Sequence, residues 1–175
     1  MNFLATVKFK FLDFFCDTDV VEIGSLNING SLKELFHDPN VYVGVDLGEG
    51  KGVNWVGSGH EFDQYMGEWD VVISAEMFEH NKFWKETWLN MVNLAKPGGL
   101  VVFTCATTGR KEHGTKRTRI VDAPLLEGKW EDYYCNLTEK DFRTLTDFDA
   151  EFSQYKFDVN ETAHDLYFYG IKREV

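Results

Sequence analysis

The chain has 175 residues, 43% of them hydrophobic and 15% aromatic, enough to bury one sizeable core in a single domain spanning residues 1–175. Its formal charge of -11 argues against a general nucleic-acid binder or a protein that docks on anionic membranes, and favours a soluble protein acting on small molecules. The three cysteines, Cys16, Cys105 and Cys135, are far apart and form no CxxC pair, so they read as reduced, mostly buried thiols of a cytoplasmic protein rather than a disulfide or zinc framework.

In chain order, the first stretch, "MNFLATVKFKFLDFF", is apolar but broken by Lys8, Lys10 and Asp13, which fits neither a signal peptide nor a membrane span. It leaves room for one short helix before "DVVEIG" (19–24). That run and "VYVGVD" (41–46), "WDVVISA" (69–75) and "GLVVFTCA" (99–106) are short and almost continuously apolar, the pattern of strands buried on both faces of a parallel sheet. A weaker strand is predicted at "GVNWV" (52–56). Between strands, Ser31 and Glu34 form a capping-box pattern ahead of Leu32, Leu35 and Phe36, and Asn81 precedes Phe83, Trp84, Trp88, Met91, Val92 and Ala95 at helical spacing. Pro97, Gly98 and Gly99 are expected to end that second helix. Residues 108–134 show no periodicity and read as a long loop, which in a compact domain more often carries function than not. Thr138 and Asp141 form another capping-box pattern before Phe142 and Leu145, and "AEFSQYKFDV" with "HDLYFYGIKRE" are expected to pair as an antiparallel hairpin. The fold class is therefore α/β, a Rossmann-like doubly wound sheet.

A strand that stops at Gly24 and a helix that starts near Ser31 would place free helix amides at the carboxyl edge of the sheet, where a ligand carboxylate or phosphate is favoured. The glycines at 24 and 30 depart from GxGxxG, which weighs against a dinucleotide and hence against an NAD-linked oxidoreductase. Asp46, at the end of the second strand, is placed to accept hydrogen bonds from ribose hydroxyls. Glu22, an acid inside an apolar strand, calls for a cationic or hydrogen-donating partner, which a ligand ammonium would supply.

"VVEIGSLNINGS", "YVGVDLGEGKGV", "WDVVISAEMFEH" and "AKPGGLVVFTCA" together resemble the successive motifs of the class I S-adenosylmethionine-dependent methyltransferases, in particular the broad small-molecule subgroup, over about residues 19–108. The resemblance implies a seven-stranded sheet, mostly parallel, with one antiparallel strand in the C-terminal hairpin. It implies that S-adenosylmethionine is the cofactor, that Glu22, Gly24 and the backbone at Ser25 hold its methionine part, and that Asp46 holds its ribose. The turn is longer and poorer in glycine than is usual in the family. Where the family often carries an acid for the adenine amino group, this chain has Ser58 or Gly59. Ser58 and His60 are the adenine candidates, with Leu47 and Phe62 as packing surfaces.

Methyl transfer from a sulfonium is an in-line displacement that needs alignment, exclusion of water and, for a protonated nucleophile, a base; no metal is obligatory. Candidate bases project from the loops after the fourth and fifth strands: Glu76, Glu79, His80 and His113. The first of these is also counted among the cofactor-binding candidates, and His113 ranks above His80 because an "EH" pair at this point recurs in the family among enzymes with different substrates. Arg110, Lys111, Lys116, Arg117 and Arg119 reverse the sign of an acidic chain just past a strand edge, so Arg110 and Arg117 are expected to bind a small anionic acceptor. The competing reading keeps the fold and drops the chemistry: a cofactor-binding partner or regulatory module. The acceptor and the oligomeric state are left open by the residues.

Overall fold

A computed structural model of the chain describes residues 3–174. Seven strands form one sheet in the order β3-β2-β1-β4-β5-β7-β6: β1 Asp19–Ile23, β2 Val41–Asp46, β3 Trp55–Val56, β4 Trp69–Ala75, β5 Ala95–Ala106, β6 Phe152–Asn160 and β7 Asp165–Lys172. β1 to β5 run parallel, while β7 lies antiparallel to both its neighbours. The order steps outward from β1 in one direction and from β4 in the other, so the crevice at which a doubly wound sheet takes its ligand opens above the carboxyl ends of β1 and β4.

Alternation along the central strands explains why they are apolar throughout. Val21, Val72, Val101 and Phe103 face one side, and Val20, Val71, Leu100 and Val102 face the other. The first side is covered by α2 (Trp84–Leu94), α3 (Glu139–Arg143) and α4 (Phe148–Glu151), which bring Trp88, Phe142 and Phe148 onto Phe103 and Phe168. Trp88 stands at the centre, with ring centroids 5.3–5.7 Å from those of Phe103, Phe142, Phe148 and Phe168, and its indole N–H donates to Thr146 Oγ1 at 2.7 Å. The opposite side has a thinner cover: α1 (Phe3–Lys10) places Leu4 and Val7 beside Phe15 and Phe36.

Four sequence expectations change. The helix expected after Ser31 is a single four-residue 3-10 turn, Leu32–Leu35, that buries none of its side chains. Ser31 does cap it, accepting from Lys33 N, but Pro39 follows too soon for the chain to wind further before β2 begins. The weak strand shrinks to Trp55–Val56. Pro97, Gly98 and Gly99 do not end α2, which stops at Leu94; they form an irregularity inside β5, where pairing jumps from Trp69–Ala95 to Val71–Leu100. The thiols, expected to be mostly buried, are exposed at Cys16, half-buried at Cys135 and buried only at Cys105, and all are free.

Other local expectations hold. The Thr138–Asp141 box forms, with the Asp141 carboxylate accepting from both the backbone N–H and the hydroxyl of Thr138. β6 and β7 are the expected hairpin, and residues 108–134 are irregular apart from two 3-10 turns. Among the described residues no helix is long and apolar enough to cross a membrane.

Candidate functional site

At the carboxyl ends of β1, β2 and β4 lies a cavity of about 530 Å³ whose wall includes Glu22, Gly24, Asp46, Leu47, Ser58, Glu76 and His80. The sequence reading reached these residues from separate stretches, and the sheet order brings them to one place. The turn after β1 forms one side of the cavity, and the long loop after β5 folds over it through Pro124, Leu125, Leu126 and Trp130. Met77 completes the wall beside Gly24. Contributions from 122–130 and Met77 were invisible to motif reading. Their only sequence signal is the apolar "APLLEGKW" inside an otherwise polar loop.

Gly24 has φ +82°, and a Cβ there would stand 2.6–2.7 Å from Met77 Cγ and Cβ, so the turn needs glycine on both counts. The rest of the turn departs from expectation. Instead of free helix amides, Gly24 N and Ser25 N donate to Val45 O at 2.9 and 3.2 Å, Leu26 N to Asp46 Oδ2 at 2.8 Å, and Asn27 N to Lys51 O at 2.8 Å. With these amides committed, Gly24 and the backbone at Ser25, expected to hold the cofactor's methionine part, offer no free N–H, and the helix expected near Ser31 is only a 3-10 turn. Ser25 is buried and its side chain lies over Gly44, outside the cavity wall.

Glu22 is 5% exposed and accepts a short hydrogen bond from the Tyr42 hydroxyl. Burial pushes its carboxyl up to about 7, against the Tyr42 hydrogen bond and with help from nearby Asp46. Asp46 accepts from Leu26 N with one oxygen and from Leu47 N with the other, both at 2.8 Å, which leaves a free lone pair on each. Burial raises its pKa as well, with those two amides opposing. Ser58 Oγ and His60 Nδ1 share a hydrogen bond at 2.7 Å, but the His60 ring packs on Phe83 and is not part of the wall. Phe62, expected as a packing surface for a ligand, is fully buried between Trp55 and Trp69 in the core.

At the end of β4 the carboxylates are arranged differently. Glu76, with φ +51°, accepts from Thr104 Oγ1 at 2.8 Å through one oxygen, while its other oxygen has no hydrogen-bond partner. Glu79 has no exposed surface, and its carboxyl lies against the Glu76 carboxyl and the backbone amides of Glu79 and Ala106. Burial and the neighbouring Glu76 carboxyl hold Glu79 well above the carboxylate range. Burial first, then His113 and Arg110, lowers His80 to about 4, so its ring is neutral at physiological pH. The two histidines meet edge to face at 4.9 Å, both against Tyr134. His80, ranked second from the sequence, lines the cavity; His113 stands behind it.

A second cavity of about 660 Å³ adjoins the first, sharing Leu4, Ala75 and Glu76 with it and adding Lys10, Thr104, Arg110, Asp165, Tyr167 and Tyr169. Arg110 reaches Asp165 Oδ1 at 2.5 Å and Glu76 Oε2 at 4.0 Å. Arg117 lines neither cavity: it pairs with Glu112 and Asp132 within the loop. Lys116 pairs with Glu131 and Arg119 with Asp122. The basic stretch that pointed to an anionic acceptor is thus largely neutralised by its own loop.

No family model matches the chain, and no curated protein matches its sequence. Solved structures do match its fold. A phosphoethanolamine N-methyltransferase 2 of Haemonchus contortus, in complex with phosphomonomethylethanolamine and S-adenosylhomocysteine, superposes with a TM-score of 0.64 at 14% identity, over 98% of this chain and 52% of that one. The carbon methyltransferase CurJ matches with a TM-score of 0.60 at 20% identity, over 91% of this chain and 50% of that one. The N-methyltransferase NodS of Bradyrhizobium japonicum, in complex with S-adenosylhomocysteine, gives 0.60 at 15% identity over 97% and 87%. The chain spans about half the length of the first two. It has the Rossmann-like fold of the class I S-adenosylmethionine-dependent methyltransferases.

Proposed function

We propose that the chain is an S-adenosylmethionine-dependent methyltransferase acting on a small molecule. The observation that carries this reading is the placement of Glu22 and Asp46 on one cavity wall at the switch point of a methyltransferase-type sheet, with a second cavity opening from it at Glu76. Two of the matched structures hold S-adenosylhomocysteine, and both are named as N-methyltransferases. In this reading Glu22 faces the cofactor's ammonium group, which would draw its carboxyl back to the ionised form. Asp46 spends its remaining lone pairs on the ribose hydroxyls, and Leu47 and Ser58 border the adenine. Since Gly24 to Asn27 have no free amides, the methionine carboxylate is held beyond them, toward Asn29 to Ser31, which also line the cavity.

The methyl group would then point past Ala75 and Glu76 into the second cavity, where the acceptor sits. Glu76 is the group on both walls, and it and His80 are the bases nearest the transfer; the protein's work is otherwise alignment and exclusion of water by the loop at Pro124–Trp130. Arg110 is the acceptor contact retained from the basic stretch. Its pairing with Asp165 and Glu76 favours a polar acceptor over a polyanion.

Incubation with methyl-labelled S-adenosylmethionine and fractionated small-molecule, glycan and protein extracts tests the reading. Label is expected in the small-molecule fraction. Binding of the cofactor with no transfer to any fraction would replace the enzyme with a cofactor-binding module.

A further inference from the structure

Three residues past the end of β4 and in the loop after β5 form a cluster of which methyl transfer uses only His80. Glu79, His80 and His113 each offer one ligand atom, and these atoms lie within 4.8 Å of one another. Glu79 is fully buried with its carboxyl against the Glu76 carboxyl and the backbone amides of Glu79 and Ala106, and His80 Nδ1 is buried without a hydrogen-bond partner. Buried polar atoms are nearly always satisfied, so the orphaned imidazole nitrogen beside this carboxyl signals a missing partner. A proton shared by Glu76 and Glu79 serves that pair alone, whereas a cation serves the imidazoles as well. Glu76 adds a second acidic group next to Glu79, and the nearby cation, Arg110, stands 4.0 Å from Glu76 Oε2 and is committed to Asp165. We propose that Glu79, His80 and His113 bind a divalent first-row transition-metal ion through one carboxylate oxygen and one ring nitrogen from each histidine.

The surroundings fit. His113 Nδ1 lies 3.1 Å from Lys111 O, and since a carbonyl only accepts, the proton is on Nδ1 and Nε2 presents its lone pair. A ligating histidine is typically oriented in just this way by a backbone carbonyl on its other nitrogen. The Glu79–His80 turn is braced from behind by the returning loop: Cys135 N donates to Glu79 O at 2.9 Å, and the Trp130 indole N–H to His80 O at 2.8 Å. Gly114, at φ +64°, passes so close to the His80 ring that a Cβ would stand 2.6 Å from Cε1. Ligand atoms around a tetrahedral ion at about 2.1 Å are about 3.4 Å apart, so closing the cluster takes side-chain movements of about 1 Å. Two imidazoles and a carboxylate suit Mn2+, Fe2+, Co2+ or Zn2+, whereas Mg2+ prefers an all-oxygen shell. Three protein ligands also leave a position for water or a substrate atom.

This site does not depend on the methyl-donor reading. The test is titration of the chelator-treated full chain with Co2+, followed by absorption in the visible region, with competition by Zn2+ and by Mg2+. One Co2+ per chain is expected, with d–d bands that Zn2+ abolishes and Mg2+ does not. Glu79→Gln and His113→Ala should each weaken Co2+ binding at least tenfold. S-adenosylhomocysteine binding, measured separately in chelator, should be unchanged in His113→Ala. Because His113 is half-buried in a loop, that variant keeps the test open if Glu79→Gln fails to fold. Absence of saturable Co2+ binding, displacement by Mg2+ alone, or affinity unmoved in a folded His113→Ala protein would overturn the proposal.

Discussion

The two carboxylate pairs of this sheet, one at the ends of β1 and β2 and the other just past β4, differ in how the protein treats them. Glu22 and Asp46 are each served by the fold itself, through Tyr42 and through the amides of Leu26 and Leu47. Glu76 and Glu79 instead face each other, carboxyl against carboxyl. A satisfied carboxylate holds its geometry before a ligand arrives, which is what positioning an ammonium and a ribose requires. An unsatisfied buried pair is unstable as ions unless a cation or a shared proton joins it. In the proposed reading the first pair is a preformed cradle, and the second is the pair beside which the proposed metal would bind.

The contrast breaks most severely at the turn that holds the first pair against the cavity. Gly24→Ala forces a left-handed residue and a clash with Met77, and is expected to cost about 3 to 4 kcal/mol of stability, read by urea denaturation. A variant as stable as the parent would show that the turn is not rigid. Next in size is Glu22→Gln. With a folded pKa of about 7 against an ordinary 4.5, the native chain binds more protons than the unfolded one between those values. Glu22 thus contributes stability that is full below pH 4.5 and lost as pH rises through 7, a loss of about 3 kcal/mol. The glutamine variant should lack that decline when unfolding is compared at pH 5 and pH 8 without ligand. Equal declines in both proteins would move the titration elsewhere.

Asp46→Ala sharpens the comparison without unfolding the sheet. It should weaken S-adenosylhomocysteine by about 1 to 3 kcal/mol, the scale of charge-assisted hydrogen bonds, and release Leu26 N and Leu47 N. Equilibrium dialysis reads the affinity; no change in a folded variant would remove Asp46 from the site. Smallest of all is Arg117→Gln, whose exposed partners lie within its own loop. No change in the acceptor's Michaelis constant is expected, whereas a marked rise would restore Arg117 as an acceptor ligand.

The strands were legible because burial on both faces leaves continuous apolar runs such as "WDVVISA", and the α3 cap because its signal is local. The Ser31 helix was not. Its capping pattern is real, since Ser31 caps, but length before Pro39 is set by the whole chain rather than by the cap. Glu22, Gly24 and Asp46 fall on the cavity wall because each stands at or next to the carboxyl end of a strand. Phe62 misled because sequence position does not reveal which way a side chain turns, and Ser25 because it does not reveal that its amide is taken by Val45 O. Pairing misled in the basic loop: Arg117 finds Asp132, which no spacing rule anticipates. The Glu79–His80–His113 cluster was half visible, its histidines named as rival bases, while their convergence on one carboxylate depends on how the loop returns.

The central claim is that the cavity above β1 and β2 takes S-adenosylmethionine, and calorimetric titration of the unmodified chain with S-adenosylmethionine, S-adenosylhomocysteine and NAD tests it most directly. The account predicts saturable binding of the first two in the micromolar range and none of NAD. No heat from either sulfur compound, with clear binding of NAD, would contradict it.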